Sequence, residues 1–429
     1  MLAVLSTFAA RRGGVLPKDG GRGGDAGLTR RKGKRQDKDM TQYTFQTEET
    51  VLLAIYALLA ISFAADIYIY LRYYTGVLHR ARAVRKGKCS FTEEKPPVSV
   101  IVCARDEGEN LEKFLPLVLE QDYPEYEVIV VNDGSWDNSE EVLDRYKRLY
   151  HNLYHTNIPN TTRVISRKKF ALTVGIKAAK HEILLFTDAG CRPLSRKWIE
   201  GMARNFSEGT EFVLGYGRYA PLRNSLMDRI TSRCVLLRSM RFLGYAYSGK
   251  PYTGTGINMA YRKSTFFSHK GFAGHLHVEA GADSLMVNEA GNAGNTKIET
   301  SPETVTAYTQ ELTWKDRVAS AEGRTETLRL FSGRNKRRMA AEPTASIVFY
   351  ISFILAMVMT SEPWYIYAVV AMFIVRYAVQ SVIVNVTAKR LGEKPLFLSI
   401  LLYDILAPIA AATFSLSRRM RGRRHKFHR

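Results

Sequence analysis

The sequence predicts an α/β protein in which helices flank a mainly parallel sheet, with transmembrane helices near both ends of the chain. Two observations support this fold class. Between Pro97 and Tyr219, short apolar runs alternate with segments of helical periodicity, a pattern typical of a parallel sheet covered by helices on both faces. Before and after this region, apolar runs are long enough to cross a bilayer.

Composition narrows the class of protein further. With 46% hydrophobic and 24% charged residues among 429, the chain is neither disordered nor collagen-like. The four cysteines show no CxxC or Cys/His spacing. This argues against a disulfide scaffold or a zinc site and fits a reducing compartment.

The charge balance indicates the kind of partner. The chain carries 62 Lys and Arg residues against 41 Asp and Glu residues, a formal net charge of +21. Such a surplus indicates nucleic acid, an anionic membrane or a phosphorylated substrate. Much of it lies in residues 1–39 and 417–429, and no basic recognition helix stands out between them. We therefore expect the basic tail to lie on anionic lipid, and we expect no nucleic-acid partner.

Four apolar runs are candidates for membrane helices. Residues 51–71 contain one ionisable side chain, Asp66, and as a helix they span roughly 30 Å, the thickness of a bilayer core. Two further runs lie at 346–360 and 364–386. The fourth, at 396–416, contains a charge and a proline, so we expect it to be re-entrant or surface-lying, with a full span as the alternative. A buried helix of a soluble protein is the alternative for every run.

Flanking charges predict the orientation of the first span. A histidine and five Lys and Arg residues follow it within 79–88, whereas Glu48 and Glu49 are the charged residues of the preceding segment 41–50. The positive-inside rule then places residues 72–343 in the cytosol of a multi-pass protein of the cell (inner) membrane.

Residues 1–39 are rich in Gly and Arg, and we assign them no fold. One interpretation is a transit peptide, against which four Asp residues count; the other is a start codon placed upstream of Met40. The predicted organisation is a basic extension (1–49), a transmembrane helix (50–71), a basic linker (72–96), a cytosolic domain (97–335), two or three membrane helices (345–416) and a basic tail (417–429).

The cytosolic domain is predicted from its alternating elements. Val98–Ala104 is a continuous apolar run, as expected for a strand buried on both faces. The strands predicted after it are 127–131, 152–158, 182–186 and 211–215, and the predicted helices are 110–121, 139–150, 169–180 and 195–206.

Carboxylates follow three of these strands. Asp106 and Glu107 come after the first strand, Asp133 after the second and Asp188 after the fourth. Ligands of such sheets bind just beyond the carboxyl ends of the strands, so these residues predict a site for a divalent metal or for ribose hydroxyls. The alternative for each residue alone is a turn or a helix cap. No GxxxxGK[ST] or GxGxxG pattern follows any strand, which argues against P-loop and Rossmann phosphate sites.

Six motifs together carry a family resemblance. In chain order they are VSVIVCARDE (98–107), VNDGS (131–135), KKFAL (168–172), LFTDAGCRP (185–193), GTGINMAYR (254–262) and GADSL (281–285). In their order and spacing, residues 97–330 resemble the family 2 glycosyltransferases. These are membrane-tethered enzymes with a nucleotide-sugar-binding α/β domain, the GT-A fold. The resemblance covers a little over half of the chain.

The resemblance implies which residues hold the donor. Glu107 and Asp133 would hold the base and ribose, with Asp106 beside them, since carboxylates accept hydrogen bonds from ribose hydroxyls and the uracil N–H. Lys169, near the start of a helix, would face the diphosphate, where its charge and the helix dipole attract anions. A solvated surface lysine is the alternative. Asn258 would be the polar side chain of a tight turn near the donor sugar.

Residues 187–190 occupy the place of the family's Asp-x-Asp motif, which holds a hard cation against the diphosphate. Asp188 would be the metal ligand, and the resemblance implies Mg²⁺ or Mn²⁺ as cofactor. Gly190 stands where the second acid would be. We therefore expect weaker metal affinity or another ligand that compensates.

Asp283 matches the family's general base, which removes the proton of an acceptor hydroxyl and contributes ~10²–10⁴ in rate. An N-cap of helix 284–290 is the alternative for this residue, and Glu279 and Glu289 are alternative bases. The segment 314–331 lacks the Gln-x-x-Arg-Trp motif of processive members, which favours transfer of one or a few sugars.

These expectations combine into one function and one competing hypothesis. The function is inverting transfer of a sugar from a UDP-linked nucleotide-sugar to a hydroxyl of a membrane-associated glycan or lipid, as in the synthesis of a cell-envelope polysaccharide. The competing hypothesis is a catalytically weak or inactive relative that acts as a membrane-anchored nucleotide-sugar-binding protein. Gly190, Ala282 and Ser284, where acids are common in the family, favour the binding protein. The remaining carboxylates favour the enzyme.

Overall fold

The computed structural model describes residues 49–404, except residues 163, 221–224, 398 and 403. The chain divides into two units, Met1–Tyr56 and Ala57–Arg429, and residues 49–56 are the described part of the first. The predictions for the extension before residue 49, for most of the apolar run 396–416 and for the tail 417–429 lie outside the described residues.

Strands and helices alternate through the middle of the chain. The strands are β1 (Val98–Ala104), β2 (Tyr126–Asn132), β3 (Leu153–Asn157), β4 (Ile183–Asp188), β5 (Cys191–Pro193), β6 (Phe212–Leu214), β7 (Gly217–Tyr219), β8 (Met259–Arg262), β9 (Thr296–Ile298) and β10 (Thr306–Tyr308). The helices are α1 (Glu49–Arg85), α2 (Gly108–Leu119), α3 (Ser139–Leu149), α4 (Arg167–Ala178), α5 (Trp198–Ala203), α6 (Leu226–Tyr247), α7 (Lys263–Ser268), α8 (Ala282–Ala290), α9 (Trp314–Leu330), α10 (Gly333–Met359) and α11 (Pro363–Arg390).

Seven strands form the main sheet in the order β3-β2-β1-β4-β8-β6-β9, and β5, β10 and β7 form a sheet of three strands. β1 lies inside the main sheet and pairs in parallel with β2 and with β4. β8 is antiparallel to both of its neighbours, β4 and β6. The predicted mainly parallel sheet flanked by helices is therefore confirmed.

β8 is a feature that the sequence analysis did not predict. The segment 254–262 was expected to form a tight turn, but Met259–Arg262 is a strand inserted between β4 and β6. Met259, Ala260 and Tyr261 are all buried, because both faces of this strand are covered. The predicted turn is therefore limited to the residues before it.

A hydrophobic core lies on each face of the main sheet. Successive side chains of a strand point to opposite faces, and β1 contributes Ile101 to one core and Val100 and Val102 to the other. Helices α4, α6 and α8 complete the first core, and α2, α3 and α5 complete the second. The sheet is thus buried on both faces, and ligands reach it at its edges.

Among the described residues, α1, α10 and α11 are long and apolar enough to cross a membrane, judged by length and composition. Large apolar side chains are exposed on each helix, such as Ile61, Ile351 and Ile374, as expected of surfaces that face lipid. The apolar runs predicted at 51–71, 346–360 and 364–386 fall in or at the ends of these helices. The cytosolic orientation of the domain stays a prediction.

α1 continues beyond its apolar part and packs closely against α6. A Cβ on Gly244 of α6 would lie 1.7 Å from the carbonyl oxygen of Tyr73, and a Cβ on Gly76 would lie 2.6 Å from the Cα of Gly244. Next to this contact, the rings of Tyr73 and Tyr245 stack with their centroids 3.8 Å apart. The start of the predicted basic linker 72–96 is therefore a helix packed against α6.

A buried ionic cluster joins α1, α10 and α11. Arg376 of α11 is 1% exposed and forms ion pairs with Asp66 of α1 (2.8 Å) and with Asp404 (2.6 Å). The guanidinium also donates hydrogen bonds to Ser346 Oγ (3.0 Å) and Tyr350 Oη (3.1 Å) of α10. The three charges that interrupt the apolar runs of the sequence thus neutralise one another in part.

We expect the substitution Arg376→Met to destabilise the full chain, because two buried carboxylates would lose their cation. Removing one partner of a buried ion pair costs about 3–5 kcal/mol, and the apparent Tm of the detergent-solubilised chain should fall accordingly. The control is the triple variant D66N/R376M/D404N, which removes all three charges and should recover most of the loss. Equal melting temperatures for R376M and the wild type would contradict this role of the cluster.

Candidate active site

The carboxyl edge of β1, β2 and β4 carries the predicted acids. In the sheet register, Cys103 of β1 lies opposite Asp188 of β4, and Ala104 lies opposite Asn132, the residue before Asp133. Neighbouring strands are about 4.8 Å apart, so the backbones of Asp133 and Asp188 are separated by roughly 10 Å, one on each side of β1. The parallel pairing therefore brings these acids to one edge.

Asp133 is held by Arg167, the first residue of α4. Its Oδ1 accepts a hydrogen bond from Arg167 Nε (3.0 Å) and forms an ion pair with Nη2 (2.7 Å), and the residue is 6% exposed. Its backbone N–H donates to the carbonyl oxygen of Ala104 (2.8 Å), which closes the turn after β2. Asp133 therefore presents a neutralised Asp–Arg pair to the edge of the sheet.

Asp188 is paired with Lys168. The lysine Nζ donates to both carboxylate oxygens, at 2.8 and 3.1 Å, and the two side chains are 48% and 26% exposed, Lys168 and Asp188 respectively. Burial lowers the pKa of Lys168, but the charges of Asp188 and Asp283 outweigh this effect and raise that pKa above its ordinary value. Lys168 is thus a permanent cation at this edge that solvent can reach.

Lys169, which was expected to face the diphosphate, points into the interior instead. It is fully buried, and its Nζ donates to the carbonyl oxygens of His275 (2.7 Å) and Val278 (2.5 Å). Successive residues of an α-helix are rotated by about 100°, so Lys168 and Lys169 lie on different faces of α4. The lysine that contacts Asp188 is one residue earlier than the predicted one.

Asp283 lies in the first turn of α8, close enough to Lys168 and Asp188 for their charges to affect its pKa. Its Oδ2 accepts a hydrogen bond from the backbone N–H of Gly256 (2.7 Å). A Cβ on Gly256 would lie 2.5 Å from both carboxylate oxygens, so glycine is required for this contact. The N-cap of α8 is Gly281, which leaves the carboxylate of Asp283 free of a capping role.

The environment of Asp283 makes it a stronger base than an ordinary aspartate. Burial raises the pKa of Asp283; Lys168 lowers it and Asp188 raises it, and the net shift is upward. Of the alternative bases, Glu279 is exposed, and Glu289 Oε1 lies 3.1 Å from Nε2 of His275.

Asp106 and Glu107 form the loop after β1. Asp106 Oδ1 accepts a hydrogen bond from the N–H of Trp136 (2.7 Å), and its own N–H donates to Ser135 Oγ (2.9 Å). Glu107 Oε1 accepts from Nε2 of Gln310 (3.3 Å), and burial raises the pKa of Glu107. Asp106 therefore joins the loops that follow β1 and β2. Trp136, whose backbone N–H donates to Asp106, is 80% exposed.

Gly190, which stands where the family has its second acid, faces an aromatic ring. A Cβ on Gly190 would lie 3.2 Å from Cε2 of Tyr308 and 3.7 Å from Nδ2 of Asn110. In the part of the chain that the structure describes, no group of three or more His, Cys, Asp or Glu residues could hold a metal ion. Asp188 is already paired with Lys168. The described residues therefore do not form a metal site on their own.

Asn258, expected near the donor sugar, is fully buried. Its Oδ1 accepts from the indole N–H of Trp198 (3.0 Å), and its Nδ2 donates to the carbonyl oxygens of Tyr216 (2.8 Å) and Thr304 (2.7 Å). These bonds tie together segments that are distant in the sequence. Asn258 supports the sheet behind the site and does not present its amide to a ligand.

The sequence analysis did not single out Arg167, Lys168 or Trp136. Lys168 belongs to the KKFAL motif, and the run of three basic residues at 167–169 is the signal that could have identified it together with Arg167. Periodicity does not decide which of two adjacent lysines faces the site. Trp136 follows the DGS turn directly, and a large aromatic residue in a polar loop is the corresponding signal for a binding surface.

Comparison with known proteins matches residues 99–274 to the family described as glycosyl transferase family 2. A segment of 128 residues is 34% identical to glycosyltransferase AglE of Haloferax volcanii. This alignment covers 29% of this chain and 40% of that protein. A segment of 92 residues is 34% identical to a poly-beta-1,6-N-acetyl-D-glucosamine synthase of Staphylococcus epidermidis. This alignment covers 21% of each of the two chains. The matched segments thus span well under half of these relatives.

Among solved structures, the fold is similar to that of the mannosyltransferase PcManGT from Pyrobaculum calidifontis, in complex with GDP-Man and Mn²⁺. The TM-score is 0.50 at 20% sequence identity, over 79% of this chain and 98% of the other. This likeness concerns the fold. The family resemblance and the GT-A fold expected from the motifs are confirmed.

The two adjacent lysines are expected to contribute differently to the stability of the fold. Lys169→Met would leave two buried carbonyl oxygens without a donor, at a cost of about 1–3 kcal/mol, so its Tm should fall. Lys168→Met removes a partly exposed ion pair, worth less than about 1 kcal/mol, and should melt near the wild type. Thermal unfolding of both full-length variants checks this. The reverse order of Tm values would show that the two side chains are assigned to the wrong faces of α4.

Proposed function

Because residues 99–274 match glycosyl transferase family 2, we propose that this chain transfers a sugar from a nucleotide-sugar donor to a hydroxyl of a membrane-associated glycan or lipid. The observation that carries the proposal is the cluster at the carboxyl edge of the sheet. There, the cation of Lys168 is paired with Asp188, and a carboxylate of raised pKa, Asp283, lies beside them. This is the pair of charges that transfer from a diphosphate leaving group requires.

The donor would lie along the edge formed by the loops after β1, β2 and β4. Asp106, Glu107 and the Asp133–Arg167 pair offer acceptors and donors for the base and ribose. Trp136, whose backbone N–H donates to Asp106, is exposed, and an indole ring suits stacking on a base. A UDP-linked sugar is the first donor to test, and GDP-mannose is the second, because PcManGT was solved with it.

Asp283 would start the reaction by accepting the proton of the acceptor hydroxyl. The hydroxyl oxygen then forms a bond to the anomeric carbon of the donor as the bond from that carbon to the diphosphate oxygen breaks on the opposite face. The electron pair of the broken bond leaves with the nucleoside diphosphate, and the configuration of the sugar inverts. Lys168 stabilises the negative charge that develops on the leaving oxygen. The hydrogen bond from Gly256 to Asp283 keeps the base oriented.

No step is assigned to a divalent cation. The expectation of Mg²⁺ or Mn²⁺ at Asp188 came from the resemblance, and PcManGT was solved with Mn²⁺. In this chain glycine stands at position 190, where the second acid would be, and Asp188 already forms an ion pair with Lys168. We propose that the ammonium of Lys168 takes over the charge neutralisation that a metal would otherwise provide.

The membrane helices would bring the acceptor to the site. α1, α10 and α11 are long and apolar enough to cross a bilayer, and the basic residues after α1's apolar part favour a cytosolic site. A lipid or a membrane-held glycan as acceptor, and anionic lipid as the partner of the basic surface, follow from this placement. The competing hypothesis, a binding protein without activity, is less favoured because both relatives carry enzyme names.

Transfer should depend on Asp283. We expect Asp283→Asn to lower kcat by ~10²–10⁴, since a carboxamide cannot accept the hydroxyl proton, while nucleotide binding stays intact. The measurement is sugar transfer from UDP-sugars and GDP-mannose by the full chain in membranes, with product detected by mass spectrometry. Glu289→Gln is the matched control and should keep near wild-type rates. If the wild type and D283N are equally inert while nucleotide still binds, the chain is a binding protein.

We expect the rate of sugar transfer to depend more on Lys168 than on a divalent metal ion. Removing one stabilising group of a leaving charge costs about 10²–10³ in kcat, so we expect that loss for Lys168→Met. Transfer by the wild type should stay measurable in EDTA. The same assay, run with EDTA, with Mg²⁺ and with Mn²⁺, checks both expectations. Abolished transfer in EDTA, together with an active K168M, would mean that Asp188 leaves Lys168 and binds a metal when the donor arrives.

A further inference from the structure

A cavity of about 260 Å³ lies at the opposite side of the main sheet from β3, beside the outer strand β9. Residues from the cytosolic end of α1, from the loop that follows it, from the end of α6 and from β9 line it. None of the acids of the candidate active site is among them. The cavity is therefore separate from the carboxyl edge of β1, β2 and β4.

The lining of this cavity is basic. Arg80, Lys88 and Lys297 contribute to it, and its described lining contains no Asp or Glu. Arg80 forms part of the buried floor, Lys297 is half-buried and Lys88 is exposed at the rim. Positive side chains grouped in a concave surface without counter-charges attract anions.

Among the described residues, the hydrogen-bond partners of the Arg80 guanidinium carry no negative charge. Arg80 is 8% exposed, and its guanidinium donates to Cys89 Sγ (2.9 Å) and to Oδ1 of Asn205 (2.6 Å). Its Nε has no hydrogen-bond partner among the described residues. A thiol and an amide do not neutralise a guanidinium, and an uncompensated buried charge is costly.

The carboxylate that Asn205 links to Arg80 is already neutralised. Asn205 links Arg80 to Glu299 through a hydrogen bond of 2.9 Å from its Nδ2 to Oε2. Glu299 in turn forms an ion pair with Arg204 (3.0 Å). The local group of Arg80, Arg204, Lys297 and Glu299 therefore keeps a net positive charge.

Lys297 adds a second cation to the same cavity. Its Nζ donates to Ser207 Oγ (2.6 Å) and to the carbonyl oxygen of Ser90 (3.4 Å), and neither partner carries a charge. Burial lowers the pKa of Lys297, and the charge of Arg80 lowers it further. The two cations therefore repel each other across the cavity, and a bound anion would relieve this repulsion.

We propose that this cavity is a binding site for a phosphate group, held by Arg80 and Lys297 with Lys88 at the rim. A guanidinium and an ammonium are the side chains that suit the geometry and charge of phosphate oxygens. The volume is well above the roughly 10–15 Å³ that a single water needs. Arg80 lies nine residues after Leu71, the end of the apolar part of α1, which is ~14 Å along a helix. Phosphate could thus come from a lipid headgroup or from solution.

The first arm of the test uses inorganic phosphate and the full chain in a neutral detergent. Hydrogen exchange of residues 86–91 and 292–298 is followed with phosphate and with chloride at matched ionic strength. We expect protection by phosphate alone. Lys297→Met should weaken the apparent affinity about tenfold or more, the loss of one charge-assisted contact. Arg85→Gln, an exposed residue of the same helix outside the cavity lining, is the matched control and should bind like the wild type.

The second arm places the chain in nanodiscs of phosphatidylcholine, with and without phosphatidylglycerol. Protection of the same segments by phosphatidylglycerol, lost in K297M and reduced in Lys88→Gln, would assign the site to a lipid headgroup. Protection by inorganic phosphate with no effect of phosphatidylglycerol would assign it to a soluble phosphate. If neither probe protects the wild type, or if K297M is protected as well as the wild type, the proposal is overturned.

Discussion

The parallel pairing of β1 with β2 and β4 is the constraint on which the rest of the site depends. These three strands are almost wholly apolar and buried on both faces, so their polar groups can lie only at the ends. Register then decides which ends meet, and the register of β1 sets Asp188 beside Cys103 and Asn132 beside Ala104. A slip of one residue would turn the side chains of a strand to the other face. The hydrophobic core thus fixes the geometry of the carboxylates.

Three cationic side chains are buried in the described part of this structure, in three different environments. Arg376 has two carboxylates as partners within the membrane helices. Lys169 has none and is held by two backbone carbonyl oxygens, which also fix the loop 275–278 against α4. Arg80 has a thiol and an amide. Only the first arrangement neutralises its charge with carboxylates. Arg80 differs from Lys169 in that its Nε has no hydrogen-bond partner among the described residues and its side chain lines a cavity.

Much of the fold could be predicted from the sequence, because β1, β2 and β4 are continuous apolar runs that end in acids. The features that could not be predicted depend on contacts between distant segments. β8 is short and became a strand because β4 and β6 cover both of its sides. Asn258 forms hydrogen bonds with Trp198, Tyr216 and Thr304, none of which is near it in the sequence.

The choice between Lys168 and Lys169 shows a different limit. Both residues start the same helix, and the hydrophobic pattern of α4 fixes its buried face only approximately. A rotation of one residue, about 100°, exchanges a side chain that meets Asp188 for one that meets backbone carbonyls. The charges within the apolar runs show the opposite case. Asp66, Arg376 and Asp404 lie in three different apolar runs of the sequence, and together they form one buried cluster.

The glycine contact between α1 and α6 has a mechanical consequence. Gly76 and Gly244 bring two backbones together with no side chain between them, and Glu342 of α10 bonds both Tyr74 of α1 and Arg241 of α6. This end of α1 is thus fixed to α6 and α10 and is not a flexible tether. Any tilt of this part of α1 must therefore be shared by α6 and α10, so the three helices move together.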